Sequence, residues 1–189
     1  DALKFTDHNF GLAFSDPSAN QRLNISQTRN GGANWINCKN CKDFPYLEKG
    51  EAAFAASNTN IASFRNVIWI ATGGAKSRIY RMKNKDCYWQ VFETPFIQGT
   101  SSQGIYSIDF FDKNFGISVG GDYTKQSDNI NNIATTNDGG QTWQIQASGQ
   151  NAGYMTCVKF RPKTKGKEIV AVGDQHISFS SDYGKTWTK

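Results

Sequence analysis

The stretch Ser180-Ser181-Asp182-Tyr183-Gly184-Lys185-Thr186-Trp187 decides the fold, because its pattern, Ser/Thr-x-Asp/Asn-x-Gly-x-Thr/Asn-Trp, recurs along the chain. It stands again at Thr136-Asn137-Asp138-Gly139-Gly140-Gln141-Thr142-Trp143 and at Thr28-Arg29-Asn30-Gly31-Gly32-Ala33-Asn34-Trp35. A worn fourth copy ends at Trp89; it keeps Asn84 but has Met82, Asp86 and Tyr88 in place of the hydroxyl, the glycine and the threonine. Each part of the motif has a turn-making role. An Asp or Asn side chain accepts backbone N–H groups two residues on, Gly takes a positive φ, and the closing Trp covers the hairpin with a large apolar face. The motif reads as a folding device, and the worn copy must make its turn differently.

The closing tryptophans fall at 35, 89, 143 and 187, separated by 54, 54 and 44 residues. That is the period of propeller blades rather than of helical solenoids. Each interval holds about four short runs in which apolar residues alternate with small or polar ones. In the third they are Ile105 to Phe110, Gly116 to Gly120, Ile133 to Thr136 and Trp143 to Ile145; in the fourth, Met155 to Phe160, Ile169 to Gly173, His176 to Ser180 and a start at Trp187. The first interval reads Ala2 to Phe5, Gly11 to Phe14, Leu23 to Ser26 and a strand from Trp35. The second is irregular, its first strand lying in Ala52 to Ala56 or Ile61 to Phe64, before Val67 to Thr72, Arg78 to Arg81 and Trp89 to Phe92. We therefore expect an all-β chain of four-stranded antiparallel blades, spanning about 1–45, 46–98, 99–148 and 149–189, with the last outer strand cut short.

Composition agrees: thirteen Phe, seven Tyr, five Trp and eighteen Gly beside two Met favour pleated sheet and tight turns over long helices. The net charge of +5 gives mild attraction to anionic partners without the clustered basic arm of a nucleic-acid binder. No stretch approaches the roughly 18 consecutive apolar residues of a membrane span, and no basic-then-apolar signal region opens the chain. The first residue is Asp1 and the last, Lys189, stops as a strand should begin, so a fragment or processed product is expected.

The motif at 136–143 and 180–187 resembles the Asp-box or BNR repeat of β-propellers that include sialidases, sortilin-type receptors and the photosystem II stability and assembly factor. Between motifs, residues 5–17, 50–57, 72–75 and 119–123 are similar to a bacterial group of assembly-factor-like propellers, some carrying an oxidoreductase label. The resemblance implies a six- or seven-bladed ring of which this chain supplies four blades, and a secreted or periplasmic protein. It also implies a binding or assembly scaffold that presents loops to a protein, peptide or glycan. The alternatives it carries are a sialidase-like glycoside hydrolase and an oxidoreductase.

Aligning the blades places Asp16, Asp122 and Asp174 just after the second strand, with Gly74 in that position in blade two. These loops lie on the face opposite the motif turns. Three carboxylates there could gather a weakly held cation or a basic group, or each could cap its own turn. Tyr123, Glu51 and Tyr106 are neighbouring candidates on that face. No catalytic residue is assigned: a sialidase-like site needs an arginine cluster with a Tyr/Glu pair and an Asp, and the arginines do not assemble in sequence. Phe64-Arg65-Asn66-Val67 lacks the Arg-Ile-Pro signature of that family. No glycine-rich cofactor loop opens a helix, so no cofactor is expected. Cys38-Lys39-Asn40-Cys41 has the CxxC spacing of a zinc, redox or disulfide pair, or of two inert loop thiols; Cys87 and Cys157 read as single thiols. The basic tips at 161–167 and 76–85 read as charges facing water.

Overall fold

The computed structural model describes residues 2–17, 20–38, 46–55 and 58–189, which form seventeen strands and no helix. Sheet one is β1 (Ala2–Phe5), β2 (Gly11–Pro17), β3 (Leu23–Thr28) and β4 (Ile36–Asn37), paired in that order. The short β5 (Glu51–Ala52) precedes sheet two, which is β6 (Ile61–Phe64), β7 (Val67–Ala71), β9 (Arg78–Lys83) and β10 (Trp89–Glu93), with β8 (Gly73–Gly74) set between β7 and β9 in the chain. Sheet three is β11 (Gln103–Phe110), β12 (Gly116–Asp122), β13 (Ile133–Thr136) and β14 (Gln144–Ile145), and β8 and β5 extend it beyond β11. Sheet four is β15 (Cys157–Phe160), β16 (Ile169–Val172) and β17 (Ile177–Ser180), with a Phe179–Thr188 bridge opening its outer strand. All pairings are antiparallel.

Of the two places open to the first strand of the second repeat, the structure uses Ile61–Phe64. Residues 51–52 pair with Gly73–Gly74 instead, and Gly73 pairs in turn with Gly104 of β11. A Cβ at Gly104 would lie 2.4 Å from the Gly73 Cα, so only glycine lets these two backbones meet.

The strand period of two sorts side chains into separate cores. In β7, Ile68 and Ile70 face sheet one, in a cluster with Phe10, Leu12, Phe14 and Ile25, whereas Trp69 and Ala71 face sheet three, with Ile105, Ile108 and Phe110. A third core joins Ile117, Val119 and Ile133 to Met155, Val158 and Ile169 of sheet four. The sheets thus stack in chain order, and the first strands carry the polar sutures between them. The Leu3 N–H donates to Asn58 Oδ1 (2.9 Å), the Ile108 N–H to the Thr59 carbonyl (2.8 Å), and the Val158 and Phe160 N–H groups to Ser107 Oγ and Asp109 Oδ2 (3.0 Å each). At the two ends of the row apolar side chains stay exposed: Leu3 (45%) and Phe5 (39%) on sheet one, Val172 (39%) and Ile177 (66%) on sheet four.

The recurring turns join the third strand of a sheet to its outer strand, and all three complete copies close the same way. In sheet three the Thr136 hydroxyl donates to Asp138 Oδ1 and accepts the Gly140 N–H, both at 2.9 Å. Asp138 accepts the Thr142 N–H (2.9 Å) and hydroxyl (2.6 Å), four residues on rather than the two expected from an ordinary Asx turn. Ser180, Asp182 and Thr186 repeat these bonds, as do Thr28, Asn30 and Asn34 apart from the final hydroxyl. Gly32, Gly140 and Gly184 take φ of 92°, 84° and 83°. The indoles of Trp143 and Trp187 donate back to the carbonyls of Gly140 and Gly184, while Trp35 is 40% exposed.

The worn turn differs as its sequence requires. Asn84, Lys85 and Cys87 all take positive φ (59°, 58° and 63°) without glycine, and Asp86 accepts the Tyr88 N–H at 3.1 Å. One bond has a counterpart in every turn: an N–H donates to a carbonyl of the neighbouring hairpin between the first two strands, from the residue after the Asp or Asn in the complete copies and from Asn84 itself in the worn one. The pairs are Gly31 to Asn9, Asn84 to Asn66, Gly139 to Asn114 and Tyr183 to Lys167.

The turns also reach the preceding sheet. The Gly139 carbonyl accepts Trp69 Nε1 (2.9 Å) and Arg81 Nη1 (2.7 Å) from sheet two, and Gly184 packs on Ile117 and Thr135 of sheet three. Burial alone would raise the Asp138 carboxyl, but its hydrogen bonds to Thr142, Thr136 and Gln141 hold it below the usual carboxylate value. A depressed pKa stabilises the fold above the unfolded value, and that stability is lost as pH falls through the folded one. Replacing Asp138 with Asn, the residue at the matching position Asn30, should cost about 1 kcal/mol at neutral pH. It should also flatten the loss of stability as pH falls below the ordinary carboxylate value of about 4 in urea titrations. An unchanged acid limb would contradict this account of the turn.

Candidate functional site

At the end of the sheets opposite these turns, the loops after the second strands carry the residues singled out above. Asp122 ends β12, where its Oδ1 accepts the Thr124 N–H (2.9 Å) and hydroxyl (2.6 Å) and its Oδ2 lies 3.4 Å from the Gln103 amide. Burial opposes ionisation, yet these donors keep its carboxyl below the ordinary value. Asp122 therefore caps its own turn. Asp174 follows β16 and accepts the Gln126 amide at 2.9 Å. Asp16 lies exposed inside β2, at the register shift between Ser15 and Pro17. Among the described residues no three His, Cys, Asp or Glu side chains converge as a metal site, so the three carboxylates do not form the cation cluster considered from the sequence.

Two of the other candidates are sealed from solvent. Tyr106 is 4% exposed, stacked on Phe54 (4.3 Å, 16°) and set edge-on to Tyr154 (4.9 Å), and its hydroxyl donates to the Ser102 carbonyl at 2.9 Å. Burial pushes its phenol well up, and the Tyr154 phenol is pushed up to about 12 by burial and then by the Asp174 charge. Tyr123, 51% exposed, faces solvent, as do Asp16 and Asp174.

Glu51, with a fully buried side chain, anchors a polar core instead of a ligand face. Arg78 Nε donates to both its oxygens (3.1 and 3.2 Å), the hydroxyls of Thr72 (2.6 Å) and Tyr80 (2.9 Å) to Oε1, and the Glu48 N–H (2.8 Å) to Oε2. Arg78 also donates to the Tyr46 carbonyl and to Tyr80 Oη. Burial works against the Arg78 charge, but the hydrogen bond to Glu51 prevails and raises its pKa; burial and then the Glu51 charge push the Tyr80 phenol up. Arginine, glutamate and tyrosine thus meet here, the residue types a sialidase-like site requires. Tyr80 is 0% exposed and Glu51 has spent its acceptors, so the group is structural. The sequence could not show this, because residues 51 and 78 belong to different sheets and meet only through the β5–β8 pairing.

At the turn end lies a concavity of about 430 Å³ between sheets three and four. Phe111, Phe115 and Tyr183 supply aromatic surface, Asn137, Gln144 and Gln146 amides, Lys165 and Lys185 positive charge, and Asp112 one carboxylate. Phe160 braces Phe111 and Phe115 from behind (centroids 6.0 and 5.4 Å), and Phe115 meets Tyr183 edge-on at 5.9 Å. At Gly166 (φ +78°) a Cβ would come within 2.9 Å of the Phe111 ring, so glycine is required for the tip to lie against it.

Reading the 161–167 tip, with Lys165, as charges facing water hid the cleft. A signal was present: Phe5-Thr6-Asp7-His8-Asn9-Phe10-Gly11 and Phe110-Phe111-Asp112-Lys113-Asn114-Phe115-Gly116 are the same hairpin. In each, the Asp Oδ1 accepts the N–H groups two and three residues on. Phe111 stands in the second where Thr6 stands in the first, and its ring lines the cleft.

Cys41 lies outside the described residues. Cys38 lies against Cys87, Sγ to Sγ 3.9 Å, so Cys87 is not the single thiol expected from its spacing.

Among solved structures, YCF48 bound to D1 peptide matches with a TM-score of 0.61 at 17% identity, over 98% of this chain and 50% of that one. The GH74 enzyme of Niastella koreensis matches at 0.66 and 13% identity, over 99% and 29%. An ancestral GH74 enzyme matches at 0.58 and 13%, over 98% and 26%. No family model matches the sequence, and no curated protein matches it. These neighbours are β-propeller proteins, and the likeness identifies the four sheets as a propeller-type fold. The chain spans half or less of the length of these three solved structures.

If the Glu51 group is structural, Glu51→Ala should cost about 3–5 kcal/mol in urea denaturation by leaving Arg78 buried and unpaired. The double replacement Glu51→Leu with Arg78→Met should recover most of that loss. A cost below about 1 kcal/mol for the single change would refute the assignment.

Proposed function

We propose that this chain is a non-catalytic binding scaffold whose cleft between sheets three and four takes an extended acidic segment of a partner protein. The cleft carries the reading: it is concave, it offers aromatic rings and side-chain amides together, and two lysines line it against one aspartate, Asp112, whose side chain also caps its own hairpin. Aromatic surface supplies contact area, amides satisfy a peptide backbone, and lysines attract carboxylates. The likeness to a propeller bound to a peptide supports a peptide partner, at the level of fold. The loop end is a second surface for a partner, through exposed Tyr123 and Asp174. The four sheets are consecutive blades, about 1–45, 46–98, 99–148 and 149–189, of a six- or seven-bladed ring. The exposed apolar faces of sheets one and four support that arrangement.

The GH74 likeness favours a glycoside hydrolase as the second reading, again as a likeness of fold. Fold alone does not carry activity, and the Arg–Glu–Tyr group described here is closed to substrate.

An array of acidic, neutral and basic dodecapeptides separates these readings. The protein should retain acidic, aromatic-containing peptides, with affinity falling as salt rises. Lys165→Glu with Lys185→Glu should weaken capture at least tenfold, and Tyr183→Ala comparably, while Tyr123→Ala leaves it unchanged. Retention indifferent to peptide charge would refute the cleft assignment, and release of reducing ends from polysaccharides would establish the hydrolase instead.

A further inference from the structure

We infer that Cys38 and Cys87 form a disulfide that fastens sheet two to sheet one. Cys38 follows β4, where its N–H donates to the Ile25 carbonyl (2.8 Å), and Cys87 lies in the worn turn between β9 and β10. Their sulfurs, 3.9 Å apart across 49 residues, are both half-buried and pack on the core shared by the two sheets. A disulfide needs a sulfur separation of about 2.05 Å, which rotation about the side-chain torsions can supply from contact distance.

The position of the pair gives the reason for it. The turns of sheets three and four dock on the preceding sheet through a glycine that no Cβ crowds. The worn turn has Asp86 at that glycine position and reaches sheet one by other means. Arg29 donates to the Lys85 carbonyl at 2.7 Å, Lys85 pairs with Asp7, and Cys87 meets Gln27 and Cys38. Lys85 is half-buried but Asp7 is exposed, so water and salt weaken their attraction. A covalent link at Cys87 supplies the fixed attachment that the lost glycine cannot. Such a bond forms and persists in an oxidising compartment.

Oxidation by a small-molecule disulfide, for example oxidised glutathione, balances as two exchanges. One cysteine thiolate attacks a glutathione sulfur, breaking that S–S bond and expelling one glutathione thiolate. The second cysteine thiolate then attacks the protein sulfur of the mixed disulfide and expels the other. The protein loses two electrons and two protons, and two molecules of reduced glutathione carry them.

The test equilibrates the protein in oxidised and reduced glutathione, alkylates remaining thiols, and maps peptides without reduction. The expected result is a cross-linked peptide pair containing Cys38 and Cys87. Reduction should lower the melting temperature on the order of 10 °C in the wild type, but not in Cys87→Ser, while Cys157→Ser behaves as wild type. A Cys38–Cys41 peptide in place of the expected pair, or full alkylation of Cys87 under oxidising buffer, overturns the inference. Because the mapping uses the unaltered chain, the result stands even if Cys87→Ser fails to fold.

Discussion

A hydroxyl, a carboxylate or amide and a glycine held in one short turn are the constraint on which this structure depends. The Thr136–Asp138–Gly140 arrangement consumes backbone N–H groups that no strand can reach, and in doing so turns the Gly139 carbonyl toward sheet two, where Trp69 and Arg81 meet it. A local folding unit therefore becomes an attachment between sheets. The same turn in sheet four presses Gly184 on Ile117 and Thr135. Where the turn is worn, the attachment survives but its chemistry changes.

This arrangement distributes the core unlike a two-layer sandwich. Sheets two and three bury both faces, which is why β7 reads Val-Ile-Trp-Ile-Ala without a polar residue and β12 is buried from end to end. Each core lies between two successive sheets, and Ser107 and Asp109 on one first strand receive backbone donors from the next. Buried polar groups on these strands are thus spent on joining sheets. The accessible chemistry is left to the two ends: tyrosine and carboxylates at one, aromatics, amides and lysines at the other.

The fold was legible because its signal is local and repeated. Three complete turns at known positions imposed the strand order, and alternation located the third and fourth sheets closely. The reading faltered where the determining contacts are distant in sequence. Residues 51–52 carry too little pattern to reveal a pairing with Gly73–Gly74, and Glu51 cannot be separated from a ligand-face carboxylate without Arg78 beside it. Cys87 looked solitary because Cys38 lies 49 residues away across a sheet boundary. Asp16, Asp122 and Asp174 occupy matching loops, yet matching position does not make convergence, and Asp122 spends its acceptors on Thr124. The cleft escaped for the opposite reason, since lysine-rich tips have a plausible solvated reading until Phe111 and Phe115 are seen beneath them.

The claim that the turns join one sheet to the next is tested most directly by a double-mutant cycle between Asp138→Ala and Trp69→Phe, read by equilibrium unfolding. Trp69→Phe keeps an aromatic ring in the core but removes the N–H that reaches the Gly139 carbonyl. Coupling of about 0.5–3 kcal/mol between the two changes is the predicted result, since loss of the turn should already release that carbonyl. Additivity within about 0.3 kcal/mol would mean that the turn and the indole act independently, and would contradict the account.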